Sequence, residues 1–153
     1  LSIALQSPVQ FMNEIIPGMC DRKWGRVVNI ATAAAKYPSA ARILSGPPRA
    51  ALVNYTVAVS KEVAKHNVCV NNILPGMHIT DPIIEMFTNI AKENGTTMDE
   101  EIKNVCNEHK IAAGRFGDPD DVGSVVAMLC SEFSNYITGQ SLIVDGGVTN
   151  STF

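Results

Sequence analysis

Two short runs, GRVVNIA over 25–31 and NVCVNNIL over 67–74, constrain this chain more than any other feature. A strand with one wet face alternates polar and apolar side chains at period two. Neither run keeps that alternation, so both fit strands covered on two faces of a parallel sheet. Parallel neighbours need a long crossover, and the intervening segments have helical spacing. Pro75-Gly76 ends the second run, and SLIVDGG over 141–147 reads as a third strand closed by a glycine turn.

The segments between these runs complete the alternation. Over 1–20, Ile3, Val9, Phe11, Met12, Ile15, Ile16 and Met19 recur at helical intervals, with Pro8 and Pro17 as expected kinks. The stretch TAAAKYPSAARILSG is loop-like, and a loop of that length beyond a buried strand is where α/β proteins build sites. Ser45 is expected to cap a helix that runs to about His66, with Pro47 and Pro48 in its first turn. From Thr80 to Lys110 two polar-rich amphipathic helices flank an Asn94-Gly95 turn; with few apolar residues in a continuous stripe, they read as a mobile lid rather than as core. Asp118 is placed to cap a last helix, with Pro119 at its first position, an acidic first turn, and Val122, Val125, Val126 and Leu129 on its core face. Helix, strand, helix, strand, lid, helix, strand predicts an α/β fold with a doubly wound parallel sheet and helices on both faces.

Size and composition fit one packed domain: 153 residues, 46% of them hydrophobic. A net charge of −3 and 18% charged residues of mixed sign point away from nucleic acid and from anionic membranes, and no apolar stretch is long enough to span a bilayer. A cytoplasmic protein is expected. Cys20, Cys69, Cys106 and Cys130 form no Cys-x-x-Cys pair and read as buried thiols, and His66, His78 and His109 lack metal-ligand spacing, so no metal site is expected. The chain opens on Leu1 in mid-pattern, which reads as the start of a fragment.

Three segments resemble the short-chain dehydrogenase/reductase family, in that family's order. GRVVNIA is similar to the strand that leads to its catalytic serine, and VCVNNILPGMHIT to the strand and Pro-Gly turn beside the nicotinamide. AAGRFGDPDDVGSVVAMLCSEFSNYITGQSLIVDGG is similar to its C-terminal signature. The resemblance implies that residues 1–153 are the C-terminal portion of a single Rossmann-like domain, without the N-terminal dinucleotide-binding half and its Gly-rich turn. It implies an oxidoreductase using NAD or NADP on a small alcohol or ketone, in the manner of 3-oxoacyl reductases, assembled as a homodimer or homotetramer.

The resemblance also assigns positions. Counting back from Pro75, the family's Ser…Tyr-x-x-x-Lys falls on Thr32, Ser45 and Arg49, and its asparagine at or next to Ala4. A serine hydroxyl is shorter and far less acidic than a phenol, and a guanidinium stays protonated, so these positions keep partial roles: Thr32 to polarise a carbonyl, Arg49 to bind ribose hydroxyls. Tyr37, five residues past Thr32, is a candidate surrogate acid; Tyr55 lies further along the helix on a packing face. The implied cofactor contacts are Arg49, Pro75, Gly76, His78 through its backbone, and Thr80. Arg115 is expected in a structural salt bridge. The lost tyrosine and lysine leave an alternative: a redox-silent member that binds a nucleotide or partner, or serves as a structural subunit.

Overall fold

The structure, a computed structural model, describes residues 1–149. A single π-helical turn, Ser2–Gln6, leads into α1 (Ser7–Asp21), β1 (Gly25–Ile30), α2 (Gly46–Val63) and β2 (Val68–Pro75). Then come α3 (Asp81–Asn94), α4 (Met98–Glu108), α5 (Pro119–Cys130) and β3 (Ser141–Val144). The three strands are parallel in the order β1-β2-β3, with Gly25 opposite Val68 and Asn72 opposite Ser141.

Strand alternation assigns the two faces. Val27, Val68 and Val70 pack with Met12 and Ile16 of α1 and with Leu52 and Val63 of α2. Their strand neighbours point the other way: Arg26 donates to Asn135 Oδ1, and Cys69 lies against the carbonyls of Ser134 and Asn135, just beyond α5. Helices thus cover both faces, as the doubly wound pattern requires. Asn71 joins β2 to the approach to β3, donating to Ile137 O at 2.8 Å and accepting from Gln140 N at 2.9 Å.

Several local expectations are corrected. Pro8 opens α1 rather than kinking it, and Pro17 alone lies inside the helix. Ser45 stands at the N-cap of α2 but makes no capping bond. The donors to such a bond are the N–H groups two and three residues on, and those residues are Pro47 and Pro48, which have none. The α3–α4 pair has a core of its own: Phe87, Cys106, Ile111 and Phe116 are buried together, with the Phe87 and Phe116 rings edge to face at 5.5 Å. Each helix has an apolar stripe of its own, Ile83, Phe87 and Ala91 on α3 and Met98, Ile102 and Cys106 on α4, and the polar composition of the remaining faces hides both. Cys130 is exposed, while Cys69 and Cys106 are buried. On α5 only Leu129 of the expected core face is fully buried. β1 is buried over Gly25–Val27 but emerges by Ile30, 51% exposed.

At the start of α5 the sequence and structure agree in detail. Asp118 accepts from Asp120 N, and Asp121 accepts from Asp118 N at 2.9 Å, closing a capping box. Arg115 pairs with Asp121 at 3.3 Å. The Asp118 N–H, and then Arg115, hold the Asp121 carboxyl below its usual range.

Candidate functional site

In a parallel α/β sheet, side chains converge where the strands end and the crossovers begin. Here β1 runs out at Ile30 into a loop with two 3₁₀ turns, Ala33–Ala35 and Ala40–Arg42, and β2 ends in the Pro75–Gly76 turn. Gly76 N donates to Val144 O at 2.8 Å, and a Cβ on Gly76 would lie 2.6 Å from the Asp145 Cβ. Only glycine lets the turn close against the end of β3.

A cavity of about 450 Å³ opens between these ends, bordered by Thr32, Tyr37, Arg42, the Pro75–Gly76 turn, His109 and Asp145. Thr32 caps the first 3₁₀ turn by accepting from Ala34 N at 3.4 Å, which leaves its hydroxyl hydrogen free to donate. Tyr37 is half-buried, with the Lys36 ammonium 5.7 Å from its ring centroid. The Asp145 oxygens accept from Gly147 N at 2.9 Å and Thr149 N at 3.0 Å, which fixes the turn after β3.

On the other side of the Pro75–Gly76 turn lies a cavity of about 550 Å³ with mainly apolar walls, among them Ile30, Ile83, Phe87 and Val122. His78 and Thr80 border it. Thr80 is the N-cap of α3 yet makes no capping bond, so its hydroxyl is unspent, unlike that of Thr97, which caps α4. A short parallel bridge ties His78 to Gly117 through Ile79 N and Met77 C=O. It leaves the N–H and C=O of His78 without a backbone partner among the described residues. The His78 ring lies 3.4 Å from Gly76 O and against Gly117.

Thr32, Tyr37, Pro75 and Gly76 are therefore gathered at one cavity, and Pro75, Gly76, His78 and Thr80 at its neighbour. Ser45 and Arg49 border neither. The Ser45 hydroxyl donates to Arg42 O at 3.4 Å, and Arg49 donates to Ser45 O at 3.2 Å. Tyr55 is remote, its phenol donating to Asn13 at 2.6 Å across α1. The Cys106 thiol, inside the α3–α4 core, is pushed up by burial and stays protonated.

The enoyl-(acyl carrier protein) reductase family model matches residues 1–149. The chain belongs to the short-chain dehydrogenase/reductase family. Among curated members of this family, the 3-oxoacyl-[acyl-carrier-protein] reductase of Aquifex aeolicus is 35% identical over 130 residues, covering 85% of this chain and 47% of that protein. The NADPH-dependent reductase BacG of Bacillus subtilis is 32% identical over 137 residues, 87% of this chain and 51% of its own. The crystal structure of L-sorbose reductase from Gluconobacter frateurii, complexed with NADPH and L-sorbose, superposes with a TM-score of 0.88 at 28% identity, over 97% of this chain and 56% of that one. The chain spans about half the length of the relatives it matches.

Arg42, His109 and Asp145 were not found by sequence reasoning. Asp145 had a readable clue, since an Asp directly before Gly-Gly at a strand end is placed to accept from the turn's N–H groups. The other two reach the cavity only through the fold.

Proposed function

We propose that the protein is a nicotinamide-dependent reductase of small ketones, and that this chain supplies the substrate cavity and the turn that faces the nicotinamide. The observation that carries the reading is the convergence of Thr32, Tyr37 and the Pro75–Gly76 turn on one cavity at the ends of β1 and β2. NADPH, named for the L-sorbose reductase complex and for the B. subtilis enzyme, is the reductant this supports. The residues present fit it: Gly76 keeps the turn free of a side chain, and among the described residues the Thr80 hydroxyl makes no capping bond and the peptide N–H and C=O of His78 have no backbone partner.

A dihydronicotinamide held there supplies hydride for a carbonyl carbon. The chain's own part is to polarise the carbonyl oxygen and deliver a proton to it. Thr32 donates a hydrogen bond to that oxygen. Tyr37 donates the proton, since a phenol is the acid at this cavity closest in chemistry to the tyrosine the family uses. Ser45 and Arg49, in the family's tyrosine and lysine places, turn to backbone carbonyls instead. A homodimer or homotetramer belongs to the same reading.

The test is hydride transfer in the full-length protein, followed by cofactor absorbance on a panel of small ketones. Tyr37→Phe is expected to lower kcat by roughly 10²–10⁴-fold, the share of general acid catalysis. Tyr55→Phe, outside the cavity, keeps the rate. A larger loss from Ser45→Ala than from Tyr37→Phe overturns this assignment. If the unmodified protein neither transfers hydride nor binds the cofactor, the redox-silent reading replaces it.

A further inference from the structure

Arg42 ends the second 3₁₀ turn of the loop after β1. It borders the two cavities described above and a third of about 280 Å³ beneath the loop, and it is the one residue common to all three. Its backbone is pinned on both sides: Arg42 N donates to Ser39 O at 2.9 Å, and Arg42 O accepts from Ser45 N at 3.0 Å and from the Ser45 hydroxyl. Its guanidinium is uncommitted. The one ion pair among the described residues joins Arg115 to Asp121, and among those residues no side-chain hydrogen bond involves the Arg42 guanidinium. A held backbone with a free fork of five donors is pre-organised to receive a planar anion.

The charge around it points the same way. From Thr32 to Arg49, the loop and the first turn of α2, the chain carries three basic side chains and no acidic one, although its overall charge is −3. Lys36 and Arg49 lie in the same loop and the helix turn after it. The other titratable groups at the 450 Å³ cavity are Tyr37, His109 and Asp145, and Asp145, the one acid, has its charge turned to the N–H groups of Gly147 and Thr149. Of the two charged side chains that border this cavity, Asp145 is held by backbone N–H groups, and Arg42 has no side-chain partner among the described residues.

We infer that Arg42 sets substrate specificity by binding a carboxylate, so that the preferred substrate is a small oxo acid whose ketone lies beside Thr32 and Tyr37. The inference rests on the reductase reading above. Ser45 acts in it as a positioning residue, holding the Arg42 carbonyl, which gives its hydroxyl a use other than proton transfer.

The experiment uses the full-length protein and a panel of oxo acids, each paired with its methyl ester, which keeps the ketone and removes the charge. The acids are expected to show kcat/KM at least about tenfold above their esters, one tenfold step being the size of a single partly exposed charge-assisted contact. Arg42→Met should bring the ratio to about one by raising KM for the acids alone, with the cofactor KM unchanged, and Arg42→Lys should keep part of it. Raised ionic strength should weaken the acids and not the esters. Esters turned over as well as acids, with no effect of Arg42→Met, would overturn the inference and leave the reductase reading standing. A preference for acids that survives Arg42→Met overturns it too, placing the anion elsewhere. Turnover of neither acids nor esters overturns both.

Discussion

Phe87→Ala tests whether the α3–α4 pair is a lid or a small core in its own right. Phe87 is 5% exposed and meets Phe116 edge to face, with an interplanar angle of 82°. Truncating a buried phenylalanine costs roughly 3–5 kcal/mol, of which the aromatic pair accounts for about 0.5–1.5. Collapse around the gap is limited, because the same side chain borders the 550 Å³ cavity and water can enter. The buried part of this cluster is four residues, separate from the cluster under β1 and β2, so the loss should fall on α3 and α4 rather than on the sheet. At about 1.4 kcal/mol per factor of ten, amide exchange in α3 and α4 should speed up by roughly 10²–10⁴-fold. Exchange at Val70 and Ile73, both fully buried on β2, should change far less. Native-state hydrogen exchange read by mass spectrometry or NMR gives both quantities. Equal acceleration in β2 would show one cooperative unit and refute the division; fast exchange of α3 and α4 before any substitution would restore the lid expected from composition.

Three further outcomes follow from the first and last helices. Asp118→Ala, which removes the N-cap of α5, should cost about 1 kcal/mol in urea unfolding. Because the Asp121 carboxyl is lowered from the usual 3.8 by the Asp118 N–H and by Arg115, its stabilisation is present above that value and lost as pH falls below it. The urea midpoint should therefore drop below about pH 4, and less so in Asp121→Asn. The full-length protein should sediment as a dimer or larger at micromolar concentration, with α1 and α2 at the contact. Phe11, 65% exposed on α1, is the side chain whose change to Glu should shift it to a smaller species; a wild-type monomer refutes this.

What was legible follows from how local each cause is. The strands were readable because burial on both faces suppresses alternation over a few consecutive residues, and the α5 start because a capping box spans only Asp118 to Asp121. The α3–α4 core was not, since each helix has an apolar stripe but what covers it, the other helix together with Ile111 and Phe116 beyond α4, is set by the path of the chain between them. The fading burial of β1 toward Ile30 was equally out of reach: residue type gives the tendency to be covered, not the neighbour that does the covering.

The site divides along the same line. Thr32, Pro75 and Gly76 lie at strand ends, so their meeting was implied once the strands were parallel neighbours. Arg42 and His109 join them from a loop and from a helix end whose paths no periodicity fixes. Ser45 shows how a local rule misleads when a second one acts on the same atoms. Serine before a helix suggests a cap, and proline in the first turn suggests the same helix start, yet two consecutive prolines remove the N–H groups the cap would serve. The hydroxyl then has one near acceptor, the carbonyl of Arg42, at 3.4 Å. The Ser45 hydroxyl thus ties the loop after β1 to itself, and the side chains that this loop brings to the cavity are Thr32, Tyr37 and Arg42.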